Sequence, residues 1–196
     1  LSLFTGVMLI IEGTKNTRAI NLVIFLGLGL AAITSAVKYT IGDKPYGYIG
    51  LGDVFVFLWF GLVSVAGTYF LHTHTLPVDM LLPAASVGLL SVGVLNVNNL
   101  RDRISDRESG KITLGVRIGE QWGKIYQLLL IIVAMICTGL FVFINYDNLL
   151  QLAFLITAPA FFVNALLMTR VTEPQLFDPF LKKFSLNTLL FSILLG

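Results

Sequence analysis

The sequence has a single cysteine and only two histidines among its 196 residues. One cysteine cannot form a disulfide framework, and Cys137, inside an apolar run, is expected to be a small packing residue. His72 and His74 have no cysteine near them, which argues against a structural zinc site. The chain also lacks a P-loop, the Ser–His–Asp order of a hydrolase and a basic, aromatic-rich surface. These absences exclude disulfide-stapled, zinc-binding, nucleotide-hydrolysing and nucleic-acid-binding classes.

Charge is scarce as well, since only 12% of the residues are charged while 56% are hydrophobic. The mean hydropathy of +0.87 is typical of an integral membrane protein and not of a soluble domain. Five uncharged windows are long enough, at roughly 20 residues each, to cross a bilayer. They cover residues 19–37, 54–78, 80–100, 125–146 and 148–169. The predicted fold class is therefore all-α, a multi-spanning transmembrane helix bundle.

Two further apolar segments, residues 1–11 and 184–196, are too short to cross a bilayer alone. We interpret them as partial spans of a chain that is truncated at both ends, which leaves a signal peptide neither indicated nor excluded. Within the first complete window, Gly27 and Gly29 are expected to permit close approach of a neighbouring helix.

The basic residues are distributed unevenly between the connections. Strict alternation of the spans places successive connections on opposite sides of the membrane. One set comprises residues 12–19, 71–79 and 145–148, and the other comprises residues 38–53, 100–124 and 169–183. Two of the thirteen Lys and Arg residues fall in the first set and eleven in the second. The positive-inside rule predicts that the second set is cytoplasmic.

A polar stretch at residues 96–111 follows directly on an uncharged apolar segment. If the preceding helix continues through it, Asn98, Asp102 and Asp106 recur every four residues and share one face, with Asn99 beside them. Carboxylate and amide oxygens are ligands for a hard cation, and Mg²⁺ is usually bound by one or two carboxylates together with phosphate and water. These residue types predict a Mg²⁺ site.

Cationic side chains alternate with these acceptors. They are Arg101, Arg103, Arg107, Lys111 and Arg117. Guanidinium and ammonium groups bind phosphate, so the combination favours a Mg²⁺–diphosphate site. The alternative is a solvated loop whose arginines only set the topology. Asn96, Asn98 and Asn99 favour the functional interpretation, because amides at the end of an apolar helix need polar partners.

The connection at residues 39–53 is rich in glycine and tyrosine. Its turn-forming residues are Gly42, Pro45, Gly47, Gly50 and Gly52. The functional interpretation is a lid over the polar site, to which Tyr39 and Lys44 contribute an aromatic and a cationic side chain. The alternative is an interfacial turn with membrane-belt tyrosines. Asp53 is expected to cap the following helix.

Two blocks, residues 98–111 and 39–53, resemble the UbiA-type intramembrane aromatic prenyltransferases, and the likeness extends more weakly over nearly the whole chain. It is closest to the menaquinone-pathway branch. The first block resembles the family's second aspartate-rich motif and the second its loop between helices four and five. The resemblance implies a nine-helix fold, of which residues 1–196 form a single domain running from helix three into helix nine. The family's first aspartate-rich motif is then missing from this sequence.

The resemblance also implies roles for individual residues. Asp102 and Asp106 would bind Mg²⁺, with Asn98 or Asn99 assisting. Cationic side chains would neutralise the substrate diphosphate, and the residues that match these positions are Arg101, Lys111 and Lys44. A tyrosine of the loop would lie near the diphosphate, and Tyr39 matches it.

The reaction implied by this branch is transfer of a polyprenyl chain from polyprenyl diphosphate to 1,4-dihydroxy-2-naphthoate, with loss of the carboxylate, at the cytoplasmic face of a bacterial inner membrane. Other acceptors remain open, among them 4-hydroxybenzoate, a chlorophyllide or a homogentisate. The Asn-Asn-x-Arg-Asp beginning of the motif, residues 98–102, favours the naphthoate. A non-catalytic transporter or lipid-binding protein is the alternative from another class. The sequence indicates neither the prenyl chain length nor the oligomeric state.

Overall fold

The structure is a computed structural model that describes residues 1–42 and 45–196, and these residues contain helices and turns but no β-strand. Its principal helices are α1 (Ser2–Thr14), α2 (Ala19–Thr40), α3 (Gly52–Thr73), α4 (Leu81–Arg101), α5 (Arg103–Glu108), α6 (Leu114–Ile144), α7 (Ala158–Met168) and α8 (Asp178–Leu195). Short 3₁₀ turns cover Tyr46–Ile49, Val78–Met80, Leu149–Thr157 and Pro174–Phe177. The predicted all-α class is confirmed.

Within the part of the chain that the structure describes, five helical segments are long and apolar enough to cross a membrane, as the sequence predicts. They are Ala19–Thr40, Gly52–Thr73, Val78–Arg101, Leu114–Ile144 and Leu149–Met168. The chain is thus an integral membrane protein. The fourth segment begins well before the predicted residue 125, because its charged first turns are helical too, with a break at Gly119 (φ 77°, ψ 177°) that divides residues 114–118 from the long apolar helix. Helical turns outside the hydrocarbon tolerate charge.

The last helix also begins earlier than predicted. The apolar segment is predicted from residue 184, after the connection of residues 169–183 that contains Pro174 and Pro179, whereas α8 begins at Asp178 and Pro174 begins a 3₁₀ turn. Proline fits the first turn of a helix, since the N–H it lacks has no intrahelical partner there. The two prolines therefore begin helical segments here.

Helix α4 lies at the centre of the bundle and packs on α6, α3 and α8. The core beside it is built mainly from phenylalanine, with Phe154, Phe161 and Phe191 in edge-to-face contact and at most 2% exposed. Phe143, in contrast, is 81% exposed on the outer surface of α6. Because α4 is central, its carboxyl end carries residues 98–101 to the middle of one end of the bundle.

Helices α3 and α4 approach each other closely at two glycines. A Cβ atom built on Gly61 would lie 2.5 Å from the Cα of Gly88 and 2.7 Å from the carbonyl oxygen of Ala84. Gly61 lies in a π-helical segment of α3, Phe57–Ala66. The expectation for Gly27 is wrong, because nothing lies within 4 Å of a Cβ built there. Sequence alone does not distinguish a packed glycine from a lipid-facing one.

We expect Gly61→Ala to destabilise the bundle, because the added methyl group meets backbone atoms that cannot move aside. Overpacking of this kind costs about 1–3 kcal/mol. Thermal unfolding in detergent measures the effect. Gly27→Ala is the matched control, and it should leave the unfolding temperature unchanged or slightly raised. Equal unfolding temperatures for the two variants would contradict the close approach.

The connections group at the two ends of the bundle as alternation requires. At one end, the backbone N–H of Ile112 donates to the Tyr48 carbonyl at 2.9 Å and Arg101 pairs with Asp178 at 2.9 Å. At the other end, Asn145 donates to Asp79 at 2.7 Å. The three basic connections therefore share one end of the molecule. The membrane side of that end stays a prediction.

Candidate functional site

The polar motif continues the helical hydrogen bonding of α4. The backbone N–H of Asp102 donates to Asn98 at 2.9 Å, and that of Asp106 donates to Asp102 at 2.8 Å. Asp102 itself departs from helical geometry, with φ −88° and ψ 1°, and separates α4 from α5. The prediction that the helix continues through the polar motif is correct for the backbone hydrogen bonds, and the helical geometry is interrupted only locally, at Asp102.

Asn98, Arg101 and Asp102 form one hydrogen-bonded cluster. Arg101 donates from Nε to Oδ1 of Asp102 at 2.7 Å and from Nη2 to Oδ2 at 2.9 Å. The same Nη2 donates to Asn98 Oδ1 at 2.8 Å, and Asn98 Nδ2 donates to Asp102 Oδ2 at 3.2 Å. Nη1 of Arg101 reaches Asp178, at the start of α8, at 2.9 Å. The structure thus brings three predicted site residues into direct contact.

Asp106 lies one helical turn further on and is more deeply buried. Its side chain is 11% exposed, against 31% for Asp102. Oδ1 accepts a hydrogen bond from Lys111 Nζ at 3.2 Å, while Oδ2 is buried and has no hydrogen-bond partner among the described residues. A buried carboxylate oxygen without a partner is costly unless a cation or donor satisfies it.

The donor set fits Mg²⁺ in this respect. The described residues contain no group of three or more histidine, cysteine or carboxylate side chains that could enclose a metal. Two carboxylates, one of them with a free buried oxygen, suit an ion that takes the rest of its ligands from phosphate and water. The metal-binding roles of Asp102 and Asp106 stay a prediction.

The asparagines differ in what they contact. Asn96 is 1% exposed and donates from Nδ2 to the Gly123 carbonyl and to Gln127 Oε1, both at 2.9 Å. The expected need for polar partners is thus confirmed for Asn96, which joins α4 to α6. Asn99 is 3% exposed and lines a small void shared with Tyr39.

The loop before α3 folds against Tyr39 and the segment that follows α5. A Cβ built on Gly47 would lie 2.7 Å from the Tyr39 carbonyl oxygen, so only glycine fits there. Tyr46 donates to the Ser35 carbonyl at 2.7 Å, and burial raises the pKa of its hydroxyl. On the other side, Arg117 donates to the Ile49 carbonyl at 2.8 Å. The loop therefore lies beside the motif, as expected of a lid. Lys44 lies outside the described residues.

An apolar groove of about 590 Å³ begins beside the cluster. Side chains of α3, α4 and α8 line it, including Phe60, Leu95, Asn98 and Leu181, with small hydroxyl side chains such as Ser91 between them. Asn98 belongs to both the groove and the polar cluster, so an apolar chain in the groove would end at the charged residues.

The UbiA prenyltransferase family profile matches residues 2–189 of this chain. The chain belongs to the UbiA prenyltransferase family. The polar cluster at residues 98–111 and the loop at 45–53 are therefore parts of a UbiA family protein, and the family resemblance of the sequence is confirmed.

Curated relatives agree with this membership. The 1,4-dihydroxy-2-naphthoate octaprenyltransferase of Haemophilus influenzae is 39% identical over 193 residues, which is 98% of this chain and 62% of that protein. The protein of the same name from Escherichia coli is 42% identical over 170 residues, 87% of this chain and 55% of that protein. Human UbiA prenyltransferase domain-containing protein 1 is 33% identical over 99 residues, 50% of this chain and 29% of that protein. No solved structure matches the chain.

The chain therefore spans only part of the curated relatives, 62% and 55% of the two bacterial enzymes. Its match to them nevertheless covers both the polar motif and the loop.

Four polar contacts of this UbiA family chain, three of them around Glu120 and Lys124, were not predicted from the sequence. Glu120 accepts from Arg103 at 2.9 Å and from Lys124 at 2.6 Å, and Lys124 also donates to the Thr169 carbonyl at 3.2 Å. The Glu–Lys spacing of four residues is a sequence signal that could have identified this pair. The other contact joins Tyr126 to Asp53 at 3.1 Å. Asp53 does not cap α3, whose N-cap position is Leu51.

Proposed function

We propose that this UbiA family protein transfers a polyprenyl chain from polyprenyl diphosphate to 1,4-dihydroxy-2-naphthoate, the reaction implied by the names of its two bacterial relatives. The observation that carries the proposal is the position of the polar cluster. Asn98 lines an apolar groove and is hydrogen-bonded to the carboxylate of Asp102 and the guanidinium of Arg101, an arrangement that suits a substrate with a diphosphate head and a hydrocarbon tail.

In this proposal Asp102 and Asp106, with an amide oxygen of Asn98 or Asn99, would bind Mg²⁺. The ion would supply positive charge against the diphosphate as it leaves. Arg101 and Lys111 already lie beside the two carboxylates, so their charges are positioned next to the same diphosphate. Lys44 and Tyr39 are assigned to substrate binding by the sequence match.

The bond changes follow from the substrates. The allylic carbon–oxygen bond breaks, and its electron pair leaves with the diphosphate, whose charge Arg101 and Lys111 stabilise. The ring carbon that bears the carboxylate forms a carbon–carbon bond to the resulting carbocation-like centre. Loss of the ring carboxylate as CO₂ returns an electron pair to the ring and restores its aromaticity. The apolar groove limits capture of that centre by water.

We further propose that residues 1–196 form part of a single prenyltransferase domain with its site on the cytoplasmic face of a bacterial inner membrane. The support is the excess of Lys and Arg in the connections that meet at the motif end.

The test is a prenylation assay with the purified protein in detergent, polyprenyl diphosphate and either 1,4-dihydroxy-2-naphthoate or 4-hydroxybenzoate. We expect prenylated product from the naphthoate alone, and none when EDTA replaces Mg²⁺. Product from the benzoate alone would show that the proposed acceptor is wrong and that the proposed prenyl transfer is correct. Absence of product from both acceptors, in protein with a cooperative thermal unfolding transition, would contradict the proposal and favour a transporter or lipid-binding protein.

A further inference from the structure

Asp53 is a buried carboxylate that the proposed reaction does not use. It lies in the first turn of α3 and is 8% exposed. Its Oδ2 accepts a hydrogen bond from the hydroxyl of Tyr126, on α6, at 3.1 Å. Burial of a carboxylate is unfavourable because the group loses its hydration, and this hydrogen bond offsets a substantial part of that cost.

The carboxylate lies between the loop and the motif. Asp53, Tyr39 and Asn99 line the same small void, together with Gly47 and Thr113. Asp53 is separated by three residues from the 3₁₀ turn of the loop, and Asn99 is on the final turn of α4. Tyr39 lies on the last turn of α2, and its ring packs on Gly47 of the loop and on Gly52, the first residue of α3, since Cβ atoms built there would lie 2.8 and 3.7 Å from its Cε2. A shift of the start of α3 would therefore displace this ring relative to Asn99, and the proposed function assigns both residues to substrate binding.

The other contacts of the loop lie further from the motif or involve only its backbone. Tyr46 donates to Ser35 on α2, and Tyr48 accepts from the backbone of Ile112. The Asp53–Tyr126 hydrogen bond joins the loop end of α3 to the long helix α6, which packs extensively on α4. This bond connects the loop to the most extensively packed part of the fold.

We propose that Asp53 and Tyr126 are positioning residues, and that their hydrogen bond fixes the loop so that Tyr39 lies correctly beside Asn99 for binding of the polyprenyl diphosphate. The expected kinetic effect rests on the proposed function, whereas the effect of the hydrogen bond on the loop can be tested without it. Because the hydroxyl is the donor, the carboxylate needs only to accept, and a neutral amide oxygen can do the same.

The choice of variants follows from this point. Tyr126→Phe removes the donor with little change of shape, and Asp53→Ala removes the acceptor. Asp53→Asn removes the negative charge but keeps an acceptor oxygen. Tyr146→Phe, at the opposite end of the bundle and 55% exposed, is the matched control for loss of a tyrosine hydroxyl.

Two measurements are made on each variant, namely amide hydrogen exchange of residues 46–51 and steady-state kinetics with varied polyprenyl diphosphate. For Tyr126→Phe and Asp53→Ala we expect faster exchange in the loop and a KM raised about five- to tenfold, the scale of one hydrogen bond. The change in kcat should be smaller than the change in KM. Combining the two substitutions should add no further loss, while Asp53→Asn and Tyr146→Phe should resemble the unaltered protein.

Unchanged loop exchange and unchanged KM in Tyr126→Phe would overturn the inference. Activity lost equally in Asp53→Asn and Asp53→Ala, with normal exchange in Tyr126→Phe, would also overturn it and assign the role to the charge. If Asp53→Ala does not fold, Tyr126→Phe alone decides between these results. Failure of the proposed function can be distinguished from failure of this inference. In the first case the unaltered protein would form no product, while hydrogen exchange would still show whether the Asp53–Tyr126 hydrogen bond holds the loop.

Discussion

Asp102→Ala is expected to lower kcat for prenyl transfer by about 100-fold or more, the scale on which removal of one preorganised electrostatic group slows a reaction. Asp102 is the common acceptor of the polar cluster, since Arg101 and Asn98 both donate hydrogen bonds to its carboxylate. Removing it eliminates one of the two carboxylates proposed to bind Mg²⁺ and releases the guanidinium from its main partner. The measurement is prenylated product per unit time at saturating substrates.

The fold should survive this substitution. Asp102 is 31% exposed, and ion pairs of partly exposed groups contribute at most about 1 kcal/mol. Arg101 also keeps its contacts with Asn98 and Asp178. Asp178→Asn is the matched control, because it removes the other carboxylate bound to Arg101, and activity should stay within about threefold of normal, since no metal-binding group is lost. Near-normal turnover in folded Asp102→Ala would refute the assignment of this residue.

Asp106→Asn is expected to raise the Mg²⁺ concentration for half-maximal activity and to lower kcat by a factor of about 100, again the scale of one electrostatic group. The reason is the buried Oδ2 of Asp106, to which no residue that the structure describes donates a hydrogen bond, so that it is the best oxygen of the motif for a cation. An amide of nearly the same shape removes the charge at this position. Titration of activity with Mg²⁺ measures the change.

The unfolding temperature distinguishes a metal-binding role of Asp106 from a structural one. The amide oxygen of asparagine can still accept from Lys111, so the unfolding temperature should change little. Glu108→Gln, an exposed carboxylate on the same short helix, is the control and should leave the Mg²⁺ requirement unchanged. An identical Mg²⁺ requirement in Asp106→Asn and the unaltered protein would show that Asp106 does not bind the metal.

The membrane class and the five spans could be predicted from the sequence because they depend on local composition. An uncharged run of about 20 residues has few alternatives to a spanning helix. The spacing of Asn98, Asp102 and Asp106 was readable for the same reason, since helical periodicity is local. Segment ends were less predictable, as at α6 and α8, because charged residues and prolines are compatible with both a loop and a first helical turn.

The contacts between distant segments depended on the tertiary structure. The sequence indicated that Asn96 needs a partner but not that Gln127 supplies it, and it indicated close helix contact at Gly27 where the structure shows it at Gly61. It also did not reveal that Asp53 meets Tyr126. Composition and periodicity determine which helices form and which face carries the polar groups. Helix packing alone determines which side chains meet across them, because those pairs are far apart in the chain and no local pattern encodes them.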